Sequence, residues 1–180
     1  MENVIKKILT DIKVDLSDEF DRNFERKAFF SKAWPDRKLE GHGSLMLQTG
    51  KLRRSIRAQI TNNSVTWTSS EPYASIHNEG GTITVTRKMK RYFWAKYYEL
   101  AGKVKYRKDG KTSKASMKVS KQAEFYMNLA LMKVGDKITI PKRQFLGDAP
   151  EVHKCVETAC NDHCKDIENI LYESLTKGSK

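Results

Sequence analysis

One hundred and eighty residues suffice for one ordinary domain and are short for two. Hydrophobic residues make up 38% of the chain, below the roughly 45–50% of an average globular protein but enough for a core, so wholesale disorder is excluded. Lys and Arg total 34 against 22 Asp and Glu, a net charge of +12; no stretch approaches the roughly 20 apolar residues of a membrane span, and three cysteines between Cys155 and Cys164 make no disulfide framework.

The mixed charges of Met1 to Asp15 argue against a secretory signal, so the expectation is a soluble, intracellular chain without a membrane partner. Residues 4 to 28 carry Ile5, Ile8, Ile12, Leu16, Phe20, Phe24 and Ala28 at steps of three or four, which predicts a long amphipathic helix. Trp34-Pro35 is its expected end, because the residue before proline is pushed out of the helical region. A polar connector, Asp36 to Ser44, leads to Leu45, Met46 and Leu47. Gln48 to Trp67 reads as a bend at Gly50 and a hairpin turning at Asn62-Asn63, where Asn tolerates positive φ. Glu71-Pro72 opens a short helix, Tyr73 to Asn78, closed by Gly80-Gly81, and the β-branched run Thr82 to Thr86 is a strand.

Arg87 to Leu100 lacks Gly and Pro and predicts a helix; Gly102 to Ser116 is a polar loop, and Val119 to Val134 a second helix. Lys137 to Ile140 is a strand stopped by Pro141. Asp148-Ala149-Pro150-Glu151 signals a helix start with Asp as cap, running to about Thr176 with Val152, Val156, Ala159, His163, Ile167 and Ile170 on one stripe. The order predicts an α+β fold, a small antiparallel sheet packed against long terminal helices, as one domain over 1–180 with a basic helical insertion at about 86–136.

The positive charge is concentrated in that insertion. Arg87 to Lys121 holds thirteen Lys or Arg and two acids, a local net of +11 that leaves +1 for the remainder. Its candidate contact residues are Arg87, Lys88, Lys90, Arg91, Lys103, Lys105, Arg107, Lys108, Lys111 and Lys114, interleaved with Tyr92, Phe93, Trp94, Tyr97 and Tyr98. Such an arm suits nucleic-acid phosphates, with cations releasing counterions and rings stacking on bases. It equally suits a solvated insertion whose rings cover a small core of their own.

No catalytic set is complete. His153, Cys160 and Cys164 fall near one face of the last helix, but with no C-x-x-C pair and no fourth ligand they read as ordinary side chains rather than zinc ligands, and His163 as a hydrogen-bonded core histidine. His77 with Glu79 and Ser75 lacks the nucleophile elbow, and Gly80-Gly81 is too short to cradle a phosphate. The expectation is a protein that is not an enzyme and holds no metal or cofactor.

Three blocks share one pattern: Thr49-Gly50-Lys51-Leu52-Arg53-Arg54-Ser55-Ile56, then Tyr73-Ala74-Ser75-Ile76-His77-Asn78-Glu79-Gly80-Gly81, then Ile140-Pro141-Lys142-Arg143-Gln144-Phe145-Leu146-Gly147. In this order, after a helix ending in Trp34, they resemble the tailed-phage virion morphogenesis family, the Mu-like tail-completion or neck proteins. Gln144 stands where the family often has a second proline, and Glu79 where an aromatic is common. The resemblance implies a structural protein of the head–tail junction that completes or terminates the tail and joins it to the neck. It further implies a homo-oligomeric ring, plausibly a hexamer, touching a neck or portal-side adaptor and the tail tube or its terminator. Such a protein would reside in the bacterial host cytoplasm during assembly and then in the virion; the arm sits where the family varies in length, and its expected contact with packaged DNA or an acidic partner comes from its charge rather than from the resemblance. The alternative is a free nucleic-acid-binding protein using residues 87–121. The motif residues Trp34, Gly50, Leu52, Ser55, Ile56, Tyr73, His77, Gly80, Gly81, Pro141, Arg143, Phe145, Leu146 and Gly147 are expected to form the fold rather than a reactive site.

Overall fold

A computed structural model describes residues 2–37, 44–104 and 114–177. The elements in chain order are α1 (Glu2–Arg26), β1 (Ala28–Phe29), β2 (Lys32–Ala33), α2 (Lys51–Ser55), β3 (Ile56–Ile60), β4 (Val65–Ser69), α3 (Ala74–Glu79), β5 (Gly81–Thr84), α4 (Arg87–Ala101), α5 (Lys114–Leu131), β6 (Lys137–Ile140), α6 (Pro150–Asp162) and α7 (Cys164–Lys177). The class is α+β. The strands form three antiparallel two-stranded ladders, β1–β2, β3–β4 and β5–β6, where one small sheet was expected. The chain divides into two compact units.

The first unit comprises the described residues of Met1–Pro35, Gly43–Glu79 and Lys142–Lys180. In α1, Ile12, Leu16 and Phe20 form the buried stripe and pack with Phe29 and with Ala159 of α6. The β3–β4 hairpin, in register from Ile56↔Ser69 to Ile60↔Val65, lays Val65 and Trp67 on the same cluster. Phe20 meets the Trp67 ring edge-on at 5.4 Å, and the Trp67 indole N–H donates to Ser17 Oγ at 3.0 Å. A second cluster gathers Phe24, Trp34, Leu45, Leu52, Ala74 and Phe145.

Several local expectations are corrected here. α1 stops at Arg26, eight residues before Trp34, because Lys27 turns left-handed (φ 57) and Ala28–Ala33 folds into the β1–β2 hairpin. The Asn23 side-chain carbonyl fixes that exit by accepting from Phe30 N–H at 2.9 Å. The hairpin turns at Asn62-Asn63 as expected, with Thr61 N–H donating to Ser64 O at 2.9 Å across it, but neither asparagine adopts positive φ. Residues 51–55, read as part of the hairpin, are the helix α2. The final helix begins one residue later than expected, with Ala149 at the cap, since the Asp148 carboxylate is taken by His153 (2.7 Å). It also breaks at His163, so α6 and α7 are separate helices.

The second unit comprises Gly80–Pro141 with Asp36–His42, within the described residues, and so contains the predicted insertion. β5 and β6 pair from Gly81↔Ile140 to Thr84↔Lys137, with a helical hairpin between them. Thr86 caps α4 by accepting from Met89 N–H at 3.2 Å. Phe93, the buried residue of α4, meets Tyr126 of α5 at 6.5 Å, and Ala123 and Ala130 are buried there too. The Lys90 ammonium donates to Met132 O at 2.5 Å, placing a cation at the negative end of α5. α5 starts at Lys114, five residues before the predicted Val119, and ends at Leu131.

Candidate assembly knot and basic hairpin

The three sequence blocks lie far apart along the chain, yet residues from each of them meet around Phe145. Phe145 is 1% exposed and Phe24 0%, with ring centroids 5.3 Å apart, while Trp34 stands edge-on to Phe24 at 5.6 Å. Leu52 is buried in this cluster, and Ile56 and Leu146 pack against it. The Trp34 indole N–H donates to Gln144 O at 2.5 Å. Arg143 is buried, donating from Nε to Pro35 O (2.9 Å) and from its backbone N–H to His77 O (2.8 Å). Ser55 Oγ donates to Leu52 O at 2.7 Å and lies 2.7 Å from Ser69 Oγ, tying α2 to β4.

Asn78 is the residue that the motif reading did not single out. Its Oδ1 accepts from both Phe145 N–H (2.9 Å) and Leu146 N–H (3.0 Å), so one side chain satisfies two amides of the turn. Its place inside the second block, directly after His77, was the only signal in the sequence.

Several glycines are required by conformation, two of them in the first unit. Gly50 sits at φ 68 at the entry to α2, and Gly147 at φ 137 at the exit from the turn, both in the region that side chains rarely adopt. Gly80 and Gly81 follow α3, and Pro141 follows β6; these three belong to the second unit.

Tyr73 and His77, four apart, stack edge-on at 6.0 Å. His77 is half-buried, and burial, followed by the nearby Arg143 charge, holds its imidazole below the usual histidine range. The unfolded chain therefore binds a proton more readily, near pH 6.5, than the folded one. Stability contributed by the neutral ring is complete above that pH and is lost as pH falls toward the lower folded value. His77→Gln is expected to flatten the decline in urea midpoint between about pH 7.5 and about pH 5.5. An unchanged slope would remove this residue from the acid response.

A shallow concavity over the knot is lined by Ser69, Glu71, Ser75, Asn78 and Leu146 among others, with Glu71 the one titratable side chain among the described residues that line it. His77 Nδ1 has no hydrogen-bond partner among the described residues. In the C-terminal region Cys155 is half-buried, which raises its thiol, while Cys160 and Cys164 are exposed. His153 and Cys160 lie on α6 and Cys164 opens α7, so the three do not share one straight helix. His163 Nε2 lies 2.7 Å from Asp11 Oδ2. Among the described residues, no group of three or more His, Cys, Asp or Glu side chains is placed to hold a metal ion.

In the basic hairpin, Arg87, Lys88, Arg91 and Lys103 are exposed, whereas Lys90 is committed to Met132. Lys103 and Lys96 both pair with Glu99, at 2.8 and 2.7 Å, and hold that carboxyl down at about 2. Lys105, Arg107, Lys108 and Lys111 lie outside the described residues, as does the Lys114 side chain. Trp94 and Tyr98 stack at 5.8 Å, with Tyr98 exposed.

No helix among the described residues is long and apolar enough to cross a membrane. No curated protein and no solved structure matches the chain significantly. The model of the Phage virion morphogenesis family matches residues 22–165, about four-fifths of the sequence and a span that contains all three blocks and the knot they build. The chain belongs to the phage virion morphogenesis family.

Proposed function

We propose that this protein is a structural component of the head–tail junction of a tailed phage or prophage, completing or terminating the tail and joining it to the neck. It works as a homo-oligomeric ring, sixfold to match the tail, between a neck or portal-side adaptor and the tail tube or its terminator. It is made in the host cytoplasm and ends in the virion. The chain acts as one morphogenesis domain over 1–180, with the hairpin at 86–136 as its insertion. The observation that carries this reading is the family match over residues 22–165, whose motif side chains are spent on internal packing rather than on chemistry. That use supports a structural, non-enzymatic role. Exposed cations of the hairpin make non-specific contact with packaged DNA.

Deletion of the gene is expected to leave heads and tails that do not join, seen by electron microscopy, and no infective particles. Normal joined particles would sink the proposal. Steeply salt-dependent binding of duplex DNA by the free monomer, lost on removal of 87–121, would favour a free nucleic-acid-binding protein instead.

A further inference from the structure

Arg87, Arg91, Trp94 and Tyr98 are spaced by four, three and four residues, which keeps them on one stripe of α4. Phe93, which meets α5, points well away from that stripe by the same periodicity. Arg87, Arg91 and Tyr98 are exposed, Tyr98 at 66%, and the indole of Trp94 lies against the Tyr98 ring. Trp, Tyr and Arg are the residues that dominate binding energy where proteins meet. Apolar rings set beside two guanidiniums call for a partner that is itself both acidic and apolar.

The first unit carries such a surface. Residues 11–25 of α1 hold six acids against Lys13 and Arg22. Glu19 is engaged by Arg22 and Arg26, Asp21 and Glu25 by Arg53, and Asp11 by His163. Asp15 and Asp18 are exposed and form no ion pair among the described residues. Asp11, Asp15 and Asp18 repeat the four-then-three spacing, on a stripe beside the buried Ile12, Leu16 and Phe20, where Asp11 meets His163 and Asp15 lies near Cys155. Val14, 53% exposed, lies among these acids as an apolar counterpart for the rings.

We infer that the α4 stripe of one copy docks on the Asp11–Asp18 stripe of α1 in a second copy. Two different surfaces then meet head to tail, the kind of contact that closes into a ring or propagates. Duplex DNA would be served by cations anywhere on the hairpin and has no counterpart for Trp94 and Tyr98. The inference rests on the ring reading above and names the surfaces that make the ring.

The test is sedimentation velocity on the full chain. Wild type is expected to self-associate at about 50 mM salt and to dissociate at about 500 mM. Arg87→Glu/Arg91→Glu and, separately, Asp15→Lys/Asp18→Lys should each weaken association by about tenfold or more, as close interface charge pairs do. All four side chains are exposed, and unchanged circular dichroism would confirm that both variants fold. Mixing the two variants should restore assembly, because each unlike contact then regains opposite charges. A wild-type monomer at low salt, an assembly indifferent to either pair of substitutions, or a mixture that stays dissociated would each overturn the inference. An assembly that ignores the charge reversals leaves the ring reading standing and removes only this interface. A gene deletion with normal particles removes the head–tail reading and leaves the contact.

Discussion

Phe145→Ala is expected to cost the first unit about 3–5 kcal/mol of unfolding free energy, the range for emptying a buried phenylalanine site. The side chain is 1% exposed and contacts Phe24, itself fully buried and backed by Trp34, so the void would be bounded by rigid rings that cannot collapse into it. Proteins of this size are stable by about 5–15 kcal/mol, so about a fifth or more of the total goes with one ring. The measurement is urea unfolding followed by tryptophan fluorescence. A Trp94→Phe background leaves Trp34 and Trp67, both in the first unit, as reporters. Phe145→Leu, which keeps most of the volume, should cost far less. A loss below about 1 kcal/mol for the alanine variant would mean that the third block is not the centre of this core.

The centrality of Phe145 also bears on how assembly is built. Its neighbours come from α1, α2, α3 and the turn before α6, so a single ring fixes the mutual placement of four segments. A protein whose function is to present surfaces to neighbours needs that rigidity more than it needs a reactive cleft. The three blocks serve this end at different points: Gly50 admits the chain to α2, His77 and Asn78 hold the turn through O and Oδ1, and Gly147 releases it toward α6.

Much of this was legible in the sequence because it is periodic or local. The stripe of Ile12, Leu16, Phe20 and Phe24 predicted α1 and the side it buries; the β-branched runs at Val65 and Lys137 predicted β4 and β6; Arg87 predicted the start of α4. The Tyr73–His77 ring contact followed from their spacing of four. What could not be read depends on partners distant in the chain or on conformations without a sequence mark. Lys27 ends α1 in the left-handed region with no glycine or proline to announce it, and the helix break at His163 has none either. The β strands separate into pairs because β5 and β6 belong with the helical hairpin, a choice that periodicity does not encode. In the basic segment, charge counting overstated the cations available to a partner, since Lys90, Lys96 and Lys103 are engaged within the hairpin.

The second large effect is expected at Asn78. Its carbonyl oxygen accepts from the backbone amides of Phe145 and Leu146, sixty-seven and sixty-eight residues away, and both bonds are partly buried. Alanine would leave two amides without a partner, each costing about 1–3 kcal/mol, so Asn78→Ala should lose about 2–6 kcal/mol by the same urea assay. Asn78→Asp separates this account from simple loss of packing. A carboxylate can accept both amides, so near neutral pH the variant should stay within about 1 kcal/mol of wild type. The two amide bonds favour the charged form, which lowers the folded pKa of that carboxyl below its unfolded value near 3.9. Its stabilisation is thus complete above about pH 4 and drains away as pH falls through the folded value, a response that wild-type asparagine cannot show at this position. If Asn78→Asp were as damaging at neutral pH as Asn78→Ala, shape rather than hydrogen bonding would be holding the turn. If neither substitution mattered, Phe145 would be seated by its ring alone, and the second and third blocks would meet without depending on each other.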